Sequence, residues 1–207
     1  MNYSSLVSNI KNFLEDDSTE FSDSIDVIIG QAETMIFQRL PNLPCFRSNA
    51  TGSLVVGTSS YAIASARIIR NVAITVSSNV TYLNHRVDSY LKDYWPNSST
   101  TSQPIMYSTD TASTSGTTIT LAPTPDATYA YEVEYSAPAT GLSSSTTTTW
   151  LGNNAENILL SSCLYEASSF LKAPETVSLY KSQFDEAIQL MQQEMLRDYA
   201  SEYNGGI

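Results

Sequence analysis

Along the chain the spacing of apolar positions changes twice, from about 3.6 residues to 2 and back again, and those changes divide it. Over 4–15, Leu6, Val7, Ile10, Phe13 and Leu14 recur at intervals of three and four and predict a short amphipathic helix. After Asp16 and Asp17, Ser18 or Thr19 is placed to cap a second helix. Its stripe of Phe21, Ile25, Ile28, Ile29, Ala32, Met35, Ile36 and Leu40 ends before Pro41. From 53 to 83 the pattern turns β-branched and short in period: strands are expected at 53–56, across 61–76 and at 80–83, with Gly57 and 77–79 as turns. Val87, Tyr90, Leu91 and Tyr94 return briefly to helical spacing before Pro96, and three further strands follow at 104–108, 117–122 and 129–137. In the last of these, Tyr129, Tyr131, Val133 and Tyr135 alternate with Ala130, Glu132, Glu134 and Ser136, the signature of a half-buried antiparallel strand. Asn153 or Asn154 is the expected cap of a helix bearing Ile158, Leu159, Cys163, Ala167, Phe170 and Leu171. Pro174 suits the first turn of a final helix with Val177, Tyr180, Phe184, Ile188, Met191 and Met195 on one side.

These elements define an α+β chain, its N- and C-terminal amphipathic helices forming a helical bundle with an inserted antiparallel β-rich domain. The boundaries expected are 1–44 for the N-terminal helices, 45–151 for the β-rich insertion with its one short helix, 152–197 for the C-terminal helix pair and 198–207 for a flexible tail. Charge supports joining the two ends. Residues 1–26 hold six acids and one base and 152–207 hold eight acids and three bases, whereas the middle, with seven and six, is nearly balanced. Ser and Thr fill that middle, reaching low-complexity density at 109–118 and 142–149, a composition suited to strands and polar loops.

Candidate chemistry is sparse. A net charge of -11 argues against gripping phosphate backbones. No apolar run approaches the roughly 20 residues of a membrane span, and the first residues lack the pattern of a secretory signal, so the chain is expected in the cytoplasm of the cell that makes it, without a membrane partner. The four N-x-[ST] triplets, at Asn2, Asn49, Asn79 and Asn97, then carry no glycan. Cys45 and Cys163 have no ligand spacing and read as small buried hydrophobes. His85 is the single histidine, which any Ser-His-Asp or Cys-His mechanism would have to use; beside Arg86 at a strand-to-helix turn it reads as an ordinary polar residue. Glu15, Asp16 and Asp17 lack the spacing of a calcium loop, and Glu132 and Glu134 fall on the solvent side of a strand. No catalytic residue, metal site or cofactor is expected. Thirteen tyrosines and two tryptophans remain the strongest bias. Tyr129, Tyr131, Tyr135, Trp150 and Tyr165 are assigned to the core, while Tyr199 and Tyr203, beyond the last helical stripe, suit an interface.

The order of motifs from 104 to 195 is PIMYS, then ITLAPTP (119–125), YAYEVEY (129–135), TTWL (148–151), ILLSSCLYEASSFLKAPE (158–175) and YKSQFDEAI (180–188). In that order and spacing, with the N-terminal helix pair ending at Leu40-Pro41, the chain resembles the head-to-tail adaptor (connector) family of short-tailed bacteriophages. The Ser/Thr-rich stretch at 97–118 departs from the family pattern. The resemblance implies a structural virion protein and no enzyme: a homo-oligomeric ring, twelve-fold in this family, at the head-tail junction, assembled in the host cytoplasm. It implies the portal protein and the tail nozzle protein as partners, with tail fibres as a further candidate, and DNA passing through the channel without specific binding. The helical body and C-terminal segment would hold the portal, with Tyr199, Tyr203 and Ile207 as the expected contacts, and the β-rich part would face the tail. Two other classes compete: a carbohydrate-binding or adhesin-like β module, which leaves the terminal helices without purpose, and a hydrolase built on His85.

Overall fold

In the computed structural model, which describes residues 1–111 and 115–204, the last of these from 198 by backbone alone, the chain is mixed α and β. It divides into two units: Met1–Cys45 with Pro138–Ile207, and Phe46–Ala137.

The first unit is helical. Helix α1 (Tyr3–Leu14) opens with a reciprocal cap, Asn2 Oδ1 accepting the Ser5 N–H at 2.9 Å and Ser5 Oγ accepting the Asn2 N–H at 3.0 Å. Its buried face is Leu6 and Ile10; Phe13, expected on that stripe, is exposed. Helix α2 (Thr19–Arg39) starts at Ser18, whose hydroxyl accepts the Phe21 N–H, and buries Phe21, Ile25, Ile28, Ile29, Ala32 and Ile36 as the spacing predicts. Tyr3 donates its hydroxyl proton to Asp26 at 2.5 Å, joining α1 to α2, and that bond pushes the phenol up to about 12. Residues 138–149 return the chain to these helices, with Leu142 buried and the Tyr3 N–H donated to the Thr147 carbonyl at 2.9 Å.

Helix α4 (Trp150–Asn154) was not expected. Thr149 caps it, accepting the Gly152 N–H at 3.2 Å, and it consumes Asn153 and Asn154, the expected caps of the next helix. Helix α5 (Glu156–Phe170) follows from Ala155 without a side-chain cap and packs against α1, α2 and α4, and against α6 (Pro174–Asn204). Pro174 begins α6, where its missing N–H costs nothing, and Tyr180, Phe184 and Ile188 are buried. The α6 backbone continues past Arg197 to Asn204, so the segment read as a tail from 198 is helical over most of its length.

The second unit consists of two four-stranded sheets sharing one core. In the first the order is β1 (Arg47–Ser53), β8 (Ala130–Ser136), β3 (Ile68–Val76), β4 (Asn79–Tyr82), all antiparallel. In the second it is β2 (Ser60–Ala64), β7 (Gly116–Ala122), β6 (Met106–Asp110), β5 (Asn84–His85), with only the short β5–β6 pair parallel. The alternation in β8 holds: Val133 is fully buried, opposite Ala50 on one side and Val72 on the other, with Tyr131 and Tyr135 half-buried beside it. Leu54, Ile63, Val72, Ile74, Tyr107, Ile119, Leu121 and Val133 make up the core, drawn from both sheets.

Several strands differ from expectation for local reasons. The run at 61–76 breaks at Ser65, whose φ of 63° is left-handed, and becomes β2 and β3 in different sheets. Residues 53–56 are not a strand beyond Ser53; Leu54 is buried while Val55 and Val56 turn outward, held by the Tyr61 hydroxyl, which accepts the Val55 N–H at 2.8 Å. The polar segment RSNATGS forms β1 instead. Short helix α3 (Asp88–Tyr94) matches the expected 87–95, although Leu91 is its one buried residue. The crossing chains at Gly116 leave no space for a side chain, since a Cβ there would lie 2.2 Å from the Ile63 carbonyl oxygen. Gly116→Ala is expected to lower stability by about 1–3 kcal/mol through a forced backbone shift, read as a fall in denaturant midpoint. Phe184→Ala in the helical unit, by leaving a cavity beneath α6, is expected to cost about 3–5 kcal/mol in the same measurement.

Candidate interaction surface

Residues that sequence reasoning raised for chemistry do not converge. His85 lies exposed on β5; its ring packs on Tyr107 with centroids 5.1 Å apart, and Nε2 is 3.4 Å from Thr109 Oγ1. These contacts supply neither a thiol nor an orienting carboxylate. Glu132 and Glu134 hold the amides of Asn49 and Asn71 across neighbouring strands, Asn49 Nδ2 donating to Glu132 Oε1 at 2.9 Å. Asp16 accepts the Ser18 N–H at 2.9 Å, which holds its carboxyl below the usual range and fastens the α1–α2 turn. Among the described residues no group of three or more His, Cys, Asp or Glu is placed to hold a metal, and no helix is long and apolar enough to cross a membrane. Burial pushes both thiols up, Cys45 to about 11, as fits inert packing groups rather than nucleophiles.

What the helical unit does present is apolar surface. On α6, Leu179 and Leu190 are eleven positions apart, three helical turns, and so share a line away from the buried Tyr180, Phe184 and Ile188. Leu190, 60 % exposed, and Phe13, 57 % exposed, flank a groove of about 260 Å³ floored by Leu160, Leu164 and Ala187. A second groove of about 300 Å³ runs between the end of α2, at Leu40 and Pro41, and Met195 and Leu196 of α6; beside it Arg39 pairs with Asp185 at 3.6 Å. Around these patches the charge is one-sided: the helical unit holds fifteen acids against five bases, the β unit six against five.

Of the expected portal contacts, Tyr199 and Tyr203 belong to the α6 backbone, their side chains lying outside what is described, and Ile207 lies outside the described residues altogether. In the β unit, the aromatic bias surfaces in a place the sequence did not mark. Tyr90 and Tyr94 on α3 are exposed and stacked, 6.3 Å between centroids with planes 7° apart; Trp95 continues the row at 6.3 Å, and the Arg86 guanidinium sits 5.9 Å from the Tyr90 ring. The available signal was an aromatic pair at i,i+4 between charged neighbours Asp88, Lys92 and Asp93 in a helix too short to bury both. The five aromatics assigned to the core, Tyr129, Tyr131, Tyr135, Trp150 and Tyr165, are all half-buried rather than fully enclosed, and the Tyr129 hydroxyl donates to Asp126 at 2.7 Å.

Among the described residues, apolar grooves, an aromatic row and a one-sided charge stand out, and these are the equipment of a protein that binds other proteins. No curated protein matches the chain. The sequence model of the family described as SU10 adaptor protein matches residues 1–205, running through both parts of the helical unit and the β unit between them. The chain therefore belongs to the SU10 adaptor protein family and is a structural adaptor protein of a bacteriophage.

Proposed function

We propose that this adaptor builds a closed ring, of twelve subunits on the family resemblance, that joins the portal to the tail nozzle and lines the channel by which the genome leaves the head. The observation that carries this reading is the family match over 1–205. In it, α1, α2, α5 and α6 act as one bundle that seats on the portal, residues 198–207 with Tyr199, Tyr203 and Ile207 anchor it there, and the β unit faces the nozzle and its fibres at the head-tail junction of the virion. The protein has no catalytic role and no cofactor; it assembles in the host cytoplasm.

Two features of the chain support the reading. The grooves beside Phe13, Leu190 and Leu196 leave apolar surface that neighbouring subunits would cover through heterologous contacts, each copy offering a different face to its two neighbours until the rotation closes. The excess of acids in the helical unit suits a conduit wall, because like charge keeps a duplex from adhering while it slides. The row Tyr90, Tyr94 and Trp95 favours a second reading, in which the β unit binds a sugar face. Saturable glycan binding by the monomer, lost in the Tyr90→Ala, Tyr94→Ala double variant, would establish it.

Mixed with its cognate portal at micromolar concentration, the protein is expected to co-migrate in gel filtration with light scattering, as a ring on the portal and as a monomer without it. Failure of the intact chain to co-migrate removes the adaptor-ring reading. Deleting 198–207, or combining Tyr199→Ala with Tyr203→Ala, is expected to weaken portal binding at least about tenfold while leaving the melting temperature nearly unchanged. Duplex DNA is expected to pass unretained at physiological salt, and tight, salt-sensitive retention would contradict an acidic channel.

A further inference from the structure

Helix α2 carries a carboxylate on its packed side. Glu33 follows the fully buried Ala32 and is itself half-buried, and its Oε1 and Oε2 accept the Leu142 N–H at 3.0 and 3.2 Å. The chain passes so close at this point that a Cβ on Gly141 would lie 2.3 Å from Glu33 Oε2. Leu142, 4 % exposed, is the buried side chain of the return segment 138–149, so this one carboxyl grips the segment at its anchor. Ala137–Pro138, just upstream, is one of the two points where the chain crosses between the units.

Two titratable groups face Glu33 from the elements packed around it: Cys45, at the end of the turn after α2, and Cys163 on α5. Both thiols are raised by burial and raised further by Glu33, so both are neutral in the physiological range. Glu166, one turn beyond Cys163 on α5, is also raised by its own burial. At Glu33 itself, burial pushes the carboxyl up to about 7 against the opposing pull of the Leu142 N–H.

We propose that Glu33 is a proton-operated clasp on the return segment: protonated, it holds Leu142 and its neighbours against α2, and loss of the proton favours their lifting away. The direction follows from linkage. Lifting the segment removes part of the burial at Glu33 and lets the carboxyl fall from about 7 toward its ordinary 4.5, which is the limit for full solvation. The seated state binds the proton more tightly, so its advantage is full below about 4.5 and is lost as pH rises through 7. The limiting change in the opening equilibrium over that window is about 300-fold; partial solvent access to the carboxyl screens some of it, leaving an expected change of at least about tenfold. The clasp does not depend on the ring: it is a property of the single chain, and its failure would leave the adaptor reading untouched.

Hydrogen exchange at the Leu142 amide of the full chain, with each rate divided by its intrinsic value at that pH, reads the opening. Protection is expected to fall at least about tenfold between pH 5 and pH 8 in the wild type. In E33Q, whose side-chain carbonyl still accepts the Leu142 N–H but carries no titrating proton, it is expected to stay level. Protection that is flat or rises with pH in the wild type, or that falls equally in E33Q, overturns the proposal. The amides of Leu159 and Cys163 in α5 should remain protected throughout; their loss in step with Leu142 would mean global unfolding and would also overturn it. Carbon NMR of the Glu33 carboxyl in the wild type decides without any variant: a midpoint near 7 supports the clasp, and one near 4.5 removes it.

Discussion

Burial of α5 from several sides at once is the constraint on which the helical unit depends. Ile158, Leu159, Ser161, Ser162, Cys163, Leu164, Ala167 and Ser168 are all buried, too many and too widely spread around the helix for a single apolar stripe. A helix buried so broadly needs partners on each side, and it has them in α1, α2, α4 and α6. It also needs small residues where the axes approach. The serines fill that role at little polar cost, Ser161 donating back to the Asn157 carbonyl at 2.7 Å and Ser162 donating to the Ala32 carbonyl of α2 at 3.1 Å. Ser168 is the exception, its hydroxyl buried without a partner.

Because α1 and α2 come from one end of the chain and α5 and α6 from the other, this packing cannot form until residues more than a hundred positions apart meet. The loop closed by that meeting is no entropic burden, since 46–137 fold into a unit with a core of their own. Charge follows the same division. Nearly all the net negative charge resides in the helical unit, where Tyr3–Asp26 and Arg39–Asp185 tie helix to helix at the surface, while the β unit is close to neutral.

The sequence disclosed what a regular period or a cap could disclose. Ser18 before α2, Pro174 at the head of α6 and the tyrosine alternation of β8 are each a local rule obeyed in the fold. It hid what tertiary context decides. RSNATGS has little strand character, yet as the edge strand β1 it needs only one partner and tolerates solvent on its flank. The single apolar run at 61–76 gave no hint of being shared between two sheets, because the left-handed backbone that divides it sits on Ser65, where no glycine marks the turn. Phe13 obeyed a helical stripe but lies at the end of α1, past the reach of its neighbours, and Tyr90 and Tyr94 obeyed one on a helix of seven residues. Of the surfaces most apt for partners, therefore, almost none was legible: a period says which side of a helix is apolar, and nothing about whether a neighbour arrives to cover it. The grip of Glu33 on the return segment was invisible for a related reason, since its partner is a main-chain N–H more than a hundred residues away.

The β unit enters and leaves at one place. The Ala137 N–H is donated to the Phe46 carbonyl at 2.9 Å, so the first and last residues of the unit are hydrogen-bonded neighbours. The helical part, for its part, has only to present two chain ends side by side, a demand that a tight turn of a few residues would meet equally well. Evolution can accordingly lengthen, exchange or excise everything between those two residues without disturbing the helices that flank them. The socket is thus a pair of adjacent main-chain positions, Phe46 and Ala137, and it sets no limit on the size of the module inserted between them.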